Sequence, residues 1–238
     1  SGRATHSYPN VAQVPSIRAP YGKQCRELFG VPQGWSQVGV DASGLELRCF
    51  GHFLFPYDNG AYIDTILNGD IHTANQLAAG LPTRDNAKTF IYGFLYGAGD
   101  AKIGLIVGGN ASDGKRLKEQ FMEKTPAIRI LRDVIEDTLV ASSKWTQAGQ
   151  KIVWRKRTHK SNEKLDATRC LIGLDGRLLH IRSPHAALNT LLQSAGALIC
   201  KKWVCILEKN LREAGYKHGW DGDFALMAWV HKLIHCAR

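Results

Sequence analysis

Residues 84–96 read RDNAKTFIYGFLY, with the spacing of a helix. Arg84, Lys88, Tyr92 and Tyr96 recur every four residues, which places two cations and two aromatic rings along one helical face. Two cations near a helix N-terminus suit a bound phosphate, and a ring one turn further on suits a sugar or a base. A solvated basic face beside core aromatics explains the same spacing. By itself, the stretch predicts a helix and leaves its role open.

The sequence just upstream predicts a strand that ends at an acidic residue. Val38 and Val40 alternate at strand spacing before Asp41, and the apolar pattern that begins at Leu45 favours a helix. A carboxylate at a strand end can reach a divalent cation that a substrate phosphate also binds. Aspartate is equally a favoured helix N-cap, which is the alternative role for Asp41.

The rest of the chain predicts mainly helices, followed by strands. Glycine and proline separate the periodic segments. The predicted elements are a loop-like lead-in over 1–36, helices over 70–79, 84–96 and 114–124, a helix from there through Val140, a hairpin of 151–157 with 178–182, a helix over 186–211 and a buried strand over 224–234.

The composition is that of a folded protein with a basic surface. The 238 residues are 44% hydrophobic, and 31 Lys and Arg against 21 Asp and Glu give a net charge of +10. Such a surplus favours a polyanionic partner such as nucleic acid, although a solvated surface gives the same count. The cysteines lack zinc-ligand spacing, no apolar run has the length of a membrane span, and the first residues lack a signal peptide's apolar stretch. We therefore expect reduced thiols, no membrane partner and a cytoplasmic location.

A polar stripe is predicted where the long helix begins. His185, Asn189 and Gln193 share one face at four-residue spacing, and amides there can donate to minor-groove acceptors. Such stripes are more often only solvated. His231 lies in an apolar strand pattern, where a histidine is more often part of the core than functional.

Together these stretches resemble the DNA polymerases of the bacterial polymerase I family, in the branch found in short-tailed phages. Residues 41–48 (DASGLELR) resemble motif A of that family, and residues 84–93 (RDNAKTFIYG) resemble its motif B on the fingers helix. Ser1-Gly2-Arg3 with Pro9-Asn10 resembles the upstream segment near the primer terminus. The motifs follow the family's order, and the resemblance covers essentially the whole length.

The resemblance implies a multi-lobed α+β fold, in which a polymerase palm sheet carries a largely helical fingers lobe. Residues 1–69 would form the N-terminal part of the palm with motif A, and residues 70–140 the fingers with the motif B helix. Residues 141–238 would form the remaining palm, with a hairpin, a long helix and a degenerate motif C. We expect the palm to be incomplete at its C-terminal end. Since the thumb is expected to be absent, no processivity-factor contact is expected either.

The resemblance also implies a DNA-directed DNA polymerase that transfers deoxynucleotides (dNTPs) to a primer 3′-hydroxyl on primer-template DNA. In that family two Mg²⁺ ions are held by two palm aspartates. Asp41 matches the first aspartate, and Ala42 would offer its backbone carbonyl to the metal. Arg84, Lys88 and His72 match the groups that neutralise the phosphates, and Lys88 is also the candidate proton donor to pyrophosphate.

Other matched residues would select the nucleotide and hold the DNA. Glu46 and Tyr92 match the pair that closes over the sugar and excludes a 2′-hydroxyl, with Ser43 and Gly44 beside the nucleotide. Tyr96 matches the ring that stacks at the templating position. The remaining candidates for DNA contact are Arg3, Asn10, His185, Asn189, Gln193 and His231.

Motif C departs from the family pattern. The family reads His-Asp-Glu there, whereas this chain reads His231-Lys232-Leu233. Lys232 replaces the second aspartate with a cation where cations should bind, which predicts little or no polymerase activity. A non-catalytic DNA-binding remnant is therefore an alternative. A single-subunit phage RNA polymerase is disfavoured by Glu46, and a structural protein leaves the shared motif residues unexplained.

Overall fold

The computed structural model describes residues 2–3, 8, 14–141, 170–219, 221–229 and 232–237. Two compact units make up the fold. The sheet unit combines residues 1–45 with 193–238, and the helical unit spans residues 46–192.

Helices account for most of the described residues. They are α1 (Gly22–Glu27), α2 (Leu45–Asp58), α3 (Ala61–Asn68), α4 (Ile71–Ala79), α5 (Arg84–Leu95), α6 (Asp100–Gly104), α7 (Ala111–Lys124), α8 (Pro126–Ala141) and α9 (Ala187–Glu213). The strands are β1 (Ser36–Asp41), β2 (Cys170–Ile172), β3 (Leu178–His180), β4 (Phe224–Trp229) and β5 (Lys232–Ala237). Helix α1 lies inside the lead-in predicted to be loop-like, so that prediction is wrong for its 6 residues.

Helix α5 forms where the sequence predicts it, because both of its ends carry local signals. The side-chain oxygen of Thr83 caps its N-terminus by accepting a hydrogen bond from the backbone N–H of Asn86 at 3.1 Å. Its apolar face supplies Phe90 and Phe94, whose ring centroids lie 5.2 and 5.3 Å from that of Phe121 on α7 and 5.9 Å from each other. These rings form the centre of the helical unit, and the polar face of α5 is left outside.

Helix α7 begins three residues before the predicted start at Gly114. Asn110 and Asp113 form a capping box, in which each side chain accepts a hydrogen bond from the other's backbone N–H. Glycine at 114 favours a helix end by propensity, but here it allows close packing. A Cβ on Gly114 would lie 1.9 Å from the carbonyl oxygen of Asp100, so α6 and α7 cross with their backbones nearly touching.

The second strand of the predicted hairpin lies in the described part of the chain, and the first lies outside it. Strand β3 pairs antiparallel with β2, whereas the predicted partner, 151–157, lies outside the described residues. The turn between β2 and β3 is set by Gly176, whose φ of 78° is a left-handed conformation suited to glycine. Its N–H donates to the carbonyl of Gly173 at 3.0 Å, which closes the turn locally and favours the nearest strand as partner.

The sheet unit contains a three-stranded antiparallel sheet in the order β1-β5-β4. The predicted single strand over 224–234 is therefore wrong, because β4 ends at Trp229 and β5 begins at Lys232. An alternating apolar pattern cannot show where a chain reverses when no glycine, proline or asparagine interrupts it. The predicted strand before Asp41 is confirmed, with Asp41 as its last residue.

The helical stretch Pro184–Glu213 contains a long apolar segment. Among the described residues, part of this stretch is long and apolar enough to cross a membrane by length and composition alone. A core helix passes the same test by length and composition, and the first turns of α9 do bury Leu188, Leu191 and Leu192.

Candidate active site

The corner between α4 and α5 in the helical unit gathers three of the predicted phosphate-binding residues. Arg84, the first residue of α5, donates from Nε to Oδ2 of Asp70 at 2.7 Å and from Nη2 to Oδ1 at 3.1 Å. Asp70 caps α4 by accepting from the backbone N–H of His72 at 3.0 Å. The Arg84 hydrogen bond, followed by that of Thr73, holds the pKa of the Asp70 carboxyl well below its usual range.

The pKa of His72 at this corner is lowered, which favours its neutral form. Burial lowers its pKa first, and the positive charge of Arg84 lowers it further, with a smaller effect from Lys88. The negative charge of Asp70 opposes these effects only in part. The ring Nδ1 is buried, and no described residue hydrogen-bonds to it. His72 therefore presents a neutral imidazole with an unused polar atom next to two cations.

Lys88 lies one helical turn beyond Arg84 on α5, and its side chain is exposed. No ion pair joins it to a described carboxylate. Arg84, Lys88 and His72 together form what we call the cationic corner. It can attract a polyanion through two full charges and offer it a neutral imidazole as a hydrogen-bond partner.

The aromatic end of the same α5 face meets a buried carboxylate. Tyr92 and Tyr96 lie one turn apart, with ring centroids 6.3 Å from each other. The hydroxyl of Tyr96 donates a hydrogen bond to Oε2 of Glu46, whose side chain is only 6% exposed. Burial and then the charge of Glu46 raise the pKa of Tyr92. Glu46 thus lies close to both rings, which extends the predicted Glu46–Tyr92 pair to a group of three.

The sheet unit carries the predicted metal ligand. Asp41 ends β1, and its Cα partner on β5 is Lys232. Helix α2 begins at Leu45, so the N-cap position falls on Gly44 and the capping alternative for Asp41 is wrong. Cys200 on α9 lies near enough to this strand end to interact with its charge. Burial raises the pKa of the Cys200 thiol most, Arg3 lowers it, and Asp41 raises it.

The donors around Asp41 do not fit a two-magnesium centre. Magnesium takes six oxygen ligands and is usually held by more than one carboxylate. Asp41 and the carbonyl of Ala42 supply two candidate oxygens, whereas the register partner of Asp41 is a lysine. Nowhere in the described ranges do three or more His, Cys, Asp or Glu side chains gather as a metal-binding group.

The predicted DNA-contacting residues are distributed over both units. His185 lies in the 3-10 turn Pro184–Ala186 ahead of α9, where with Lys118 and Arg132 it lines a cleft of about 770 Å³. Asn189 lies in the first turns of α9 with a buried Oδ1 that no described group hydrogen-bonds. Gln193 is four residues further along the same helix but belongs to the sheet unit. Asn10 and His231 lie outside the described residues.

Two features of these sites were not predicted from the sequence. Asp70 was recognised only as the start of a helix, although its position as an N-cap was a readable signal. The second is the approach of Gly97 to His185, where a Cβ on Gly97 would lie 2.3 Å from the His185 carbonyl oxygen. Gly97 also has a φ of 71°, so the turn after α5 depends on this glycine.

Comparisons with known proteins identify the family of this chain. A family profile described as DNA polymerase family A matches residues 1–235. The chain is 59% identical to the DNA-directed DNA polymerase of Enterobacteria phage T3 over 100% of its length, and 60% identical to that of Escherichia phage T7 over 98%. It covers 33% of each relative, so it spans about a third of their length.

A solved structure shares the fold. The POL domain of Pol1 from M. smegmatis, in complex with DNA primer-template and dNTP, aligns with a TM-score of 0.70 at 20% identity. The alignment covers 98% of this chain and 39% of that one. The predicted α+β fold and the predicted resemblance are thereby confirmed. Given the profile match over residues 1–235 and the identity to two phage polymerases, this chain belongs to DNA polymerase family A.

Proposed function

We propose that this chain provides the palm and fingers of a DNA-directed DNA polymerase, with the cationic corner as its triphosphate site. The observation that carries the proposal is the corner itself: Arg84, Lys88 and His72 meet beside the Tyr92–Tyr96–Glu46 group, in a chain of DNA polymerase family A. Residues 70–140 would be the fingers, and residues 1–69 with 141–238 the palm.

The cationic corner would hold the triphosphate mainly by charge. Arg84 offers a planar fork for phosphate oxygens, whereas Lys88 acts as a point charge that can also give a proton to the leaving pyrophosphate. His72 would donate a hydrogen bond to a phosphate oxygen. Its lowered pKa favours the neutral ring in the free chain, and a bound phosphate would favour the protonated ring. Neutralising the developing charge on the phosphates is the main contribution that such residues make to phosphoryl transfer.

The aromatic group would select a deoxyribose. Glu46 is buried against Tyr96, so it cannot move aside easily for a ribose 2′-hydroxyl. A 2′-hydroxyl placed in a snug site without a partner costs about 1–3 kcal/mol. Tyr92 would supply the wall against the sugar, with Ser43 and Gly44 beside the nucleotide. Comparing the affinities of one dNTP and the matching ribonucleotide tests this selection directly.

Primer-template DNA is the proposed partner, within a bacterial host cytoplasm. Tyr96 would stack on the templating base, and His185, Asn189 and Arg3 would contact the duplex near the primer end. The net charge of +10 supports a polyanionic partner. Binding should therefore weaken steeply as the salt concentration rises.

Nucleotide transfer is expected to be impaired in this chain. Asp41 matches one of the two aspartates that would hold Mg²⁺ in the family, where the metal would supply charge neutralisation. Lys232 is the register partner of Asp41, which supports the reading that the second aspartate is the one replaced. A cation at that position opposes metal binding by repulsion.

Primer extension with magnesium and dNTPs tests both parts of the proposal. We expect extension by the double variant Lys232→Asp, Leu233→Glu and little or none by the unsubstituted chain, with Asp41→Ala added to the double variant as a negative control. Extension by the unsubstituted chain that Asp41→Ala abolishes would show that another group completes the metal site. Salt-sensitive DNA binding without extension by any variant would favour the binding-remnant alternative.

A further inference from the structure

The guanidinium of Arg84 has a protein partner to which the proposed function assigns no role. Its Nε and Nη2 donate to Oδ2 and Oδ1 of Asp70 at 2.7 and 3.1 Å. The two residues are 14 apart in sequence and meet because α4 packs against α5. Two parallel hydrogen bonds from an arginine fork fix the plane of the guanidinium as well as its position.

Asp70 is itself held in place by its own helix. Its carboxylate accepts from the backbone N–H of His72 at 3.0 Å and from the hydroxyl of Thr73 at 2.8 Å. With the two hydrogen bonds from Arg84, these fill the roughly four acceptor positions that a carboxylate offers. Asp70 is therefore a fixed point at the start of α4, unlike a counter-ion on a free side chain.

Arg84 keeps donors for a ligand while Asp70 holds it. A guanidinium has five N–H groups, and the Nη1 pair with one Nη2 hydrogen has no acceptor among the described residues. We propose that Asp70 is a positioning residue of the triphosphate site, which orients the Arg84 guanidinium for the phosphates of a nucleotide. This role rests on the proposed function, since it needs a phosphate ligand at the cationic corner.

The geometry also indicates whether loss of the Asp70 charge would weaken or strengthen polyphosphate binding. The side chains of Arg84 and Asp70 are 52% and 44% exposed, so solvent and salt screen the repulsion between the Asp70 charge and a phosphate. The hydrogen bonds act on the guanidinium directly, and without them a long side chain must be ordered when the ligand binds. Removing the Asp70 charge should therefore weaken polyphosphate binding, by about 3- to 10-fold.

Titration calorimetry on the whole chain, with inorganic tripolyphosphate and with a dNTP plus Mg²⁺, tests this role. Asp70→Asn keeps an oxygen that can cap α4 but removes the negative charge. We expect its Kd for both ligands to rise about 3- to 10-fold. Asp113→Asn is the matched control, because Asp113 also lies at a helix start and pairs with Arg116 at 3.3 Å, but on α7. Its Kd should not change.

The same titrations in an Arg84→Met background separate positioning from a structural role. If Asp70 acts through Arg84, Asp70→Asn changes the Kd in the original chain and not in the Arg84→Met chain. An equal change in both backgrounds, no change, or tighter binding would overturn the positioning role while leaving the triphosphate site in place. No tripolyphosphate or dNTP binding by the unsubstituted chain would overturn both. Asp70→Ser, which can also cap α4, replaces Asp70→Asn if circular dichroism shows that the latter does not fold.

Discussion

Tyr96→Phe removes one hydroxyl, and with it the hydrogen bond to a buried carboxylate. Glu46 is 6% exposed, so its Oε2 cannot be fully rehydrated when the donor is lost. Hydrogen bonds to charged groups contribute about 1.5–3 kcal/mol to stability. The Tyr96 side of this bond is more open, with the residue 45% exposed, so water can replace part of the interaction. We therefore expect a loss near the lower end of that range, about 1.5 kcal/mol.

Thermal unfolding followed by circular dichroism measures this loss. In a chain of this size, a loss of 1 kcal/mol in the free energy of unfolding lowers the Tm by about 2–4 °C. Tyr96→Phe should therefore lower the Tm by about 3–6 °C. Tyr92→Phe is the matched control, because the Tyr92 hydroxyl makes no hydrogen bond to any described residue. In a Glu46→Ala background, Tyr96→Phe should have almost no further effect. Equal Tm values for Tyr96→Phe and Tyr92→Phe would refute the argument, since the Tyr96 hydroxyl would then add no more stability than the Tyr92 hydroxyl.

Two other predictions follow from the packing of the helical unit and from the cationic corner. Gly114→Ala would place a Cβ 1.9 Å from the Asp100 carbonyl oxygen, so α6 and α7 must separate, at a cost of about 1–3 kcal/mol. Chemical denaturation should show this loss. Gly93→Ala should be close to neutral by comparison, because its Cβ would meet no backbone atom, only the side-chain ends of Ile103 at 3.1 Å and Ala98 at 3.8 Å. Because burial and the charge of Arg84 lower the pKa of His72, a bound polyphosphate should raise it again, so binding takes up a proton and the affinity rises as the pH falls. Calorimetry in two buffers of different ionisation enthalpy should detect that proton, and an unchanged proton count in His72→Gln would contradict the assignment.

Local signals in the sequence were enough to predict the helices that carry the candidate site. The start of α5 at Arg84 follows from a Thr83 cap and a clear period, and both are properties of consecutive residues. The reversal between Trp229 and Lys232 has no such signal, because the residues on both sides form one alternating apolar pattern. The β2–β3 pairing was readable in principle from Asp175-Gly176, a favoured turn pair that the broader alternation obscured.

The candidate site shows the same division between local and long-range information. The shared face of Arg84, Lys88 and Tyr92 follows from helical spacing, which the structure confirms. The contact between Asp70 and Arg84 spans 14 residues, and the one between Glu46 and Tyr96 spans 50. Such contacts depend on how helices pack, and a sequence pattern does not encode that packing in any fixed spacing. The partners of the predicted residues were therefore harder to predict than the residues themselves.

The pairing of β1 with β5 does not depend on the residues that would bind metal. The ladder between β1 and β5 is built from backbone hydrogen bonds, so it does not require a particular residue type opposite Asp41. Two aspartates at opposite positions would repel each other until cations bind, whereas an aspartate and a lysine form a favourable cross-strand combination. The proposed loss of metal binding through Lys232 would therefore leave the sheet intact. The cationic corner lies in the other unit and contains none of these residues. We therefore expect the proposed nucleotide binding and nucleotide transfer to be separable in this chain.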